Sequence, residues 1–287
     1  MVHRMHRQSL EKYKILLRAL SRYDKVAVAY SGGVDSTLLL HAAKTALTDP
    51  GKVIALTAVS PLSSPCSATG WRTVFNEHFR GVVEHREINL NQLDDEGFVQ
   101  NDKNRCYLCK KIIYTQLKSS VKKEDFTVLL DGTNSDDLEE SRPGLPAIRE
   151  LNVATPLSDV GLNKNEIRYL ARITDLSNHD LPSNSCLATR VPSTMNITRK
   201  LLCRISRAES FLQELGFSGC RVRPEREYAV IEVRRSDVQK ISDHFTQSRV
   251  TSYFINEKFA EEGLIIRNRG CKTVVELIEF RKEQIIT

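Results

Sequence analysis

Residues 25–43 read KVAVAYSGGVDSTLLLHAA, and this stretch decides the fold. Lys25–Tyr30 is a short apolar run of strand length, bounded by a turn signal. Thr37–Leu47 then supplies Leu38, Leu39, Leu40, Ala42, Ala43, Ala46 and Leu47, a mostly apolar helix. Between them, Ser31-Gly32-Gly33-Val34-Asp35-Ser36 forms the turn. Its two glycines are free to take φ > 0, so backbone N–H groups can converge there. The hydroxyls of Ser31, Ser36 and Thr37 and the helix N-terminus are expected to face the same point. Such a site suits an anion, with pyrophosphate the natural candidate. The loop is not a Walker A sequence, because no Gly-Lys-Ser/Thr follows a four-residue gap, and it is not G-x-G-x-x-G.

Outward from this turn, strand-like and helix-like runs alternate. Val53–Val59 is a second β-rich run, Val82–Leu90 a weaker third and Thr127–Leu130 a fourth. Gly70–Phe79, Tyr107–Val121 and Asn163–Arg172 have helical patterns, the last with Asn163 as cap and Glu166 three residues on. The alternation predicts βαβ units and a parallel sheet covered on both faces. After about residue 195 the pattern changes. Ile197–Leu215 reads as one amphipathic helix ended by Gly216. Strands at 221–223 and 228–233 and a helix at 236–245 follow, a mixture that predicts a smaller α+β domain. The expected division is residues 1–190 and 195–287, with the Pro/Ser/Asn-rich stretch 181–194 as linker.

Composition narrows the class. The 287 residues are 40% hydrophobic and 27% charged, an ordinary globular mixture that excludes a disordered or collagenous chain. No run of eighteen apolar residues exists, so no membrane-spanning helix is expected. The basic, polar start has no apolar h-region, and with it a cytoplasmic location is expected. Seven cysteines, at 66, 106, 109, 186, 203, 220 and 271, then read as thiols or ligands rather than a disulfide framework. The net charge of +6 is too small to be a nucleic-acid footprint by itself. Between Arg199 and Arg235, nine Lys/Arg face five Glu, which suits either a solvated surface or a wall facing a phosphate.

SGGVDS resembles the PP-loop of the ATP pyrophosphatases, whose fold is the adenine-nucleotide α-hydrolase-like parallel sheet. The resemblance implies cleavage of ATP between the α- and β-phosphates and adenylation of an oxygen. It assigns ATP binding to Ala29, Ser31, Gly32, Gly33, Asp35, Ser36, Thr37 and Ala58, with adenine near Ala58 and Ser60. Asp35 would organise phosphates and Mg²⁺. A second match, Asp131-Gly132-Thr133-Asn134-Ser135-Asp136-Asp137, ends the fourth strand on the crevice edge. It places Gly132 and Thr133 at the nucleotide and Asp137 at Mg²⁺.

Arg105-Cys106-Tyr107-Leu108-Cys109-Lys110, Ser141-Arg142-Pro143-Gly144-Leu145, Ser185-Cys186-Leu187-Ala188-Thr189-Arg190-Val191-Pro192, Leu215-Gly216-Phe217 and Arg221-Val222-Arg223 together resemble the LarE family. The likeness runs in order from about residue 10 to 240. It implies an ATP-dependent sulfur transferase building the pyridinium-thiocarboxylate mononucleotide of a nickel-pincer cofactor, a small-molecule nucleotide substrate and a homo-oligomer. By resemblance Cys186 is the sacrificial sulfur donor, with Arg190 lowering its pKa. Arg221 and Arg223 grip the substrate phosphate, and Glu209, Glu232 and Arg142 are further candidates. The segment departs from the family's wording at Thr189 and Thr194. Cys106, Cys109 and Cys186 can instead hold a 4Fe–4S cluster, as in a subset of related thiolases. Two rivals share the fold: a tRNA thiolase and an amide ligase that uses ammonia. A nucleotide-sensing protein without catalysis is the reading from another class.

Overall fold

A computed structural model describes residues 2–49, 51–139, 143–181, 185–269 and 274–279, without the side chains of residues 2–5, 65–69 and 123. Arg142, Cys271 and the side chain of Cys66 therefore lie outside the described residues. The chain divides into two units. The first holds residues 1–61, 67–98 and 102–183; the second holds 62–66, 99–101 and 184–287.

The first unit begins with helix α1 (Val2–Leu20), followed by β1 (Val26–Ala29), α2 (Val34–Ala46), β2 (Val53–Val59), α3 (Pro65–His78) and β3 (Glu84–Asn89). Then come α4 (Glu96–Val99), α5 (Arg105–Val121), β4 (Val128–Leu130), α6 (Ser135–Glu139), α7 (Leu145–Glu150), α8 (Pro156–Asp159) and α9 (Lys164–Ile173). The strands pair in the order β3-β2-β1-β4, all parallel. Short apolar strands joined by helices permit this arrangement only if both sheet faces are covered. They are. Val26 and Val28 of β1 join the cluster of Leu16, Leu38, Leu39 and Leu170 on one face. Ala27 joins Tyr114, Leu117, Val121 and Ile148 on the other.

α2 starts at Val34 and α3 at Pro65, earlier than their apolar patterns suggest. The predicted capping box of α9 is present: the Asn163 side chain accepts from Glu166 N, and the Glu166 side chain accepts from Asn163 N. α1 went unread in the sequence, because among its described side chains only the narrow stripe of Ser9, Leu16 and Leu20 is buried.

In the second unit α10 (Arg199–Glu214) precedes β5 (Arg221–Glu225), β6 (Tyr228–Val233), α11 (Val238–Ile241), α12 (His244–Asn256), β7 (Gly263–Asn268) and β8 (Val274–Glu279). Their sheet has the order β5-β6-β7-β8, with only the β6–β7 pair parallel. The single helix expected at 236–245 is instead two. The chain breaks at Ser242, and the Asp243 side chain caps α12 by accepting from Thr246 N. The stretch expected as a linker is also structured. Leu187, Ala188, Arg190 and Val191 are buried, and Asn101 Nδ2 donates to the carbonyls of Pro192 and Met195 at 2.7 and 2.8 Å. The structural division thus falls between residues 183 and 184, placing Cys186 and Arg190 with the second unit.

Candidate active site

In the first sheet the strand order reverses between β1 and β4, so their C-terminal ends border a crevice. The loop 30–33 leaves β1 there, and 131–134 leaves β4 beside it. Of the two loop glycines only Gly32 uses positive φ, at 75°. A Cβ on it would meet Trp71 Cβ at 2.4 Å, so no other residue fits without displacing α3. Gly33 is extended, at φ −72° and ψ 157°, and caps α2.

The hydroxyls expected to converge outward are mostly bracing the loop. Ser36 Oγ and Thr37 Oγ1 both donate to the Gly33 carbonyl, at 3.0 and 2.9 Å. Ser31 Oγ lies 3.1 Å from Ser36 Oγ. Ser31 and Gly33 are exposed, whereas Ser36 and Thr37 are buried. The face open to a ligand is therefore the Ser31–Gly33 segment with the N-terminus of α2, whose partial positive charge favours an anion.

Two residues that sequence reading missed hold this loop. Lys164, the first residue of α9, places Nζ 2.5 Å from Asp35 Oδ2, and its backbone N donates to Asp136 Oδ2 at 3.0 Å. Asn178, buried after α9, donates from Nδ2 to both the Gly32 carbonyl and Thr37 Oγ1, each at 2.9 Å. One helix and the turn after it thus clamp the loop at both ends.

The β4 segment packs directly against α2. A Cβ on Gly132 would sit 3.0 Å from Ser36 N. Asn134 Nδ2 donates to Asp35 Oδ1 at 3.3 Å. Asp137, a candidate Mg²⁺ ligand, caps its own turn instead: Asn134 N donates to its Oδ2 at 3.1 Å. Asp131 is buried. It accepts from Thr133 N at 2.9 Å and Tyr114 Oη at 2.5 Å, with Lys110 Nζ at 3.7 Å. Burial alone would raise its pKa, but the Lys110 charge and these hydrogen bonds outweigh it, and the carboxyl is held below its usual range. Burial and the Asp131 charge push Tyr114 well above the ordinary tyrosine range.

Ala29 and Ala58, expected beside adenine, are half-buried at the ends of their strands. Ser60 donates to Gln92 Oε1 at 2.6 Å, and Gln92 Nε2 lies 3.9 Å from Cys109 Sγ. The Cys-x-x-Cys turn of α5 therefore stands at the same sheet edge. Cys106 and Cys109 are of intermediate exposure and form no disulfide among the described residues. Among the described residues, no three His, Cys, Asp or Glu side chains gather into a metal-binding group.

In the second unit, Cys186 is an exposed thiol just before a short 3-10 turn at Leu187–Arg190. Arg190 is 5% exposed and paired with Glu209, 1% exposed, at 2.8 Å. Its Nη1 donates to the carbonyls of Ser185 and Cys186 at 3.0 and 3.2 Å. Every guanidinium nitrogen is thus engaged, and Glu209 answers the charge. Arg190 holds the cysteine loop in place through the Ser185 and Cys186 carbonyls. Glu209 also accepts from Val222 N at 3.1 Å, so it is neither surface charge nor an open metal ligand. Arg221 and Arg223 project from one face of β5, as alternation predicts. Arg223 pairs with Glu232 at 2.8 Å and donates to the Thr189 carbonyl. Arg221 makes no hydrogen bond or ion pair among the described residues. Its pKa is lowered, first by burial and then by the charges of Arg269, Arg190 and Arg223.

Fold and site define an α/β protein whose four-stranded parallel sheet presents a glycine-bearing strand–helix loop at its switch point. No protein-family model matches the chain. It is 31% identical over 248 residues to an uncharacterized protein of Synechocystis, covering 86% of this chain and 91% of the relative. It is 32% identical over 236 residues to an uncharacterized protein of Methanocaldococcus jannaschii, covering 82% and 87%. It is 30% identical over 224 residues to the pyridinium-3,5-bisthiocarboxylic acid mononucleotide synthase of Lactiplantibacillus plantarum, covering 77% and 79%. The chain belongs to the LarE family, of which that synthase is a member. Among the described residues no helix is long and apolar enough to cross a membrane.

Proposed function

We propose that this protein is an enzyme that uses ATP to adenylate a carboxylate of a pyridinium mononucleotide and then replaces the activated oxygen with sulfur. The observation that carries this reading is the Ser31–Gly33 loop. It is clamped by Lys164 and Asn178, open to an anion, and set in a chain of the LarE family.

The residues fit Mg-ATP. The loop N–H groups and the start of α2 suit the phosphates, and Ala29, Ala58, Gly132 and Thr133 border the adenine side. Mg²⁺ needs only one or two protein carboxylates when phosphate oxygens and water complete its shell, and Asp35 would supply one in exchange for its contact with Lys164. When bound, the ion neutralises charge developing on the leaving pyrophosphate. Lys164 adds a fixed positive charge at the same place.

The substrate carboxylate attacks the α-phosphorus, the bond to the β-phosphate oxygen breaks, and pyrophosphate leaves. The Cys186 thiolate then attacks the acyl carbon and displaces AMP, giving a thioester. Removal of the Cys186 Cα proton breaks its Cβ–S bond. Sulfur stays on the substrate as a thiocarboxylate, and dehydroalanine remains in the chain. Arg190 positions this loop through the Ser185 and Cys186 carbonyls, while Arg221 and Arg223 grip the substrate phosphate.

A cluster would need three thiolates together. Cys106 and Cys109 belong to the first unit and Cys186 to the second, and the steps above use Cys186 alone, with the three-thiolate cluster as the alternative route. Intact-mass measurement after one turnover tests the reading. A loss of about 34 Da, the mass of H₂S, should map to Cys186. Sulfur transfer with an unchanged chain mass would contradict it.

A further inference from the structure

One buried side chain beside the crevice has no part in the proposed steps. Tyr114 of α5 is 2% exposed, and its ring belongs to the apolar cluster of Ile54, Leu129 and Ile148. Packing alone does not ask for a hydroxyl there, since phenylalanine would fill the same space, and a buried hydroxyl is unfavourable unless it is bonded. Tyr114 Oη is bonded twice. It accepts from Lys110 Nζ at 2.6 Å and donates to Asp131 Oδ2 at 2.5 Å.

Asp131 carries that contact to the end of β4. Its other oxygen, Oδ1, accepts from Thr133 N at 2.9 Å and also from Thr133 Oγ1. The carboxylate thus closes residues 131–133 into an Asx turn, in which an aspartate folds the backbone two residues on. The terminal torsion of an aspartate is broad, so a carboxylate held at one oxygen alone can rotate away from the turn. Here α5 holds the second oxygen from behind. The Lys110 charge, 3.7 Å away, favours the ionised form that accepts all of these bonds.

The turn has little slack. A Cβ on Gly132 would stand 3.0 Å from Ser36 N and 3.2 Å from the Asp35 carbonyl carbon. Residues 131–133 therefore lie against the first turn of α2, whose N–H groups face the phosphate side of the crevice. A small rotation of the Asp131 carboxylate displaces the turn towards those groups or away from them.

We propose that Tyr114 is a positioning residue for the nucleotide: its hydroxyl fixes the Asp131 carboxylate, and through it the 131–133 turn that seats ATP beside the start of α2. This rests on ATP occupying the crevice, as proposed above, and adds to that reading a residue outside every motif of the sequence.

The test uses the full chain with Mg-ATP, by calorimetry and by single-turnover sulfur transfer to a carboxylated pyridinium mononucleotide. Tyr114→Phe keeps the ring and removes only the hydroxyl. It should weaken ATP binding about tenfold and raise the half-saturating ATP concentration by the same factor. The rate at saturating ATP should stay within about twofold of wild type, because Tyr114 touches no reacting group. Thr133→Val removes a donor from the same carboxylate and should act in the same direction, whereas Thr133→Ser should keep wild-type affinity. The Tyr114→Phe and Thr133→Val losses should fall short of additive when combined, since both act through Asp131. If wild type does not bind Mg-ATP, the reading of the crevice fails and this one with it. If wild type binds it, and Tyr114→Phe with a wild-type melting temperature binds it equally well, only the positioning role is overturned. A slower saturated rate at unchanged ATP affinity would overturn it too. Should Tyr114→Phe not fold, equal ATP affinity in Thr133→Val and wild type decides against the proposal.

Discussion

The buried pair Arg190–Glu209 separates two accounts of the cysteine loop. With exposures of 5% and 1%, both charges are out of water. They are joined by bonds of 2.8 and 3.2 Å, and Glu209 also holds Val222 N. Glu209→Ala leaves a buried guanidinium without its counter-ion and a backbone N–H without its acceptor. Removing one partner of such a pair costs about 3–5 kcal/mol. The orphaned N–H adds about 1–3 kcal/mol where the site does not relax. A total of about 4–8 kcal/mol is a large share of a typical stability of about 5–15 kcal/mol. Replacing both partners, as Arg190→Met with Glu209→Leu, removes both charges and should fall within about 1–2 kcal/mol of wild type. Chemical denaturation, followed through the transition that contains the second unit, measures each corner of this cycle. The same variants report on Cys186 by peptide-mapped alkylation. Glu209→Gln would speed alkylation if the Arg190 charge activated the thiol, because its counter-charge is gone. The loop-holding account predicts destabilisation with no such gain. Single variants within about 1 kcal/mol of wild type would refute the reasoning.

Three further outcomes are expected. Asn178→Ala should weaken pyrophosphate and ATP binding about tenfold, by freeing the Gly32 carbonyl and Thr37, while substrate nucleoside binding is unchanged; equal ATP affinity in calorimetry would contradict the clamp. Burial pushes Tyr30 up to about 12, opposed by Thr37, so the folded state holds that proton more tightly than the unfolded chain. Its contribution is complete below about pH 10 and is lost as pH rises towards 12, a decline that Tyr30→Phe should flatten in alkaline denaturation curves. Anaerobically purified protein should contain no stoichiometric iron; about four irons per chain, lost together in Cys106→Ala, would restore the cluster route.

The parallel sheet and its loop were legible because their signals are local. An apolar strand, paired glycines and an apolar helix follow one another within twenty residues, and the Asn163–Glu166 box spans one turn. Lys164 and Asn178 were not legible as site residues, since they meet the loop across 129 and 146 positions of sequence. In the sequence Lys164 is one more charge on a helix start. The structural partners of Arg190 were hidden for a related reason. Adjacency to Cys186 is visible in the chain, but its counter-ion lies 19 residues on, in a different helix. The break between α11 and α12 had a local signal, Asp243 before Thr246, that the apolar pattern on either side obscured.

The central claim is that the loop at 31–36 handles pyrophosphate. Incubating the protein with Mg-ATP and a carboxylated pyridinium mononucleotide, then resolving the nucleotide products by anion exchange, tests it most directly. AMP and pyrophosphate in equal amounts are predicted, with none from Asp35→Ala. Formation of ADP and orthophosphate would contradict the account.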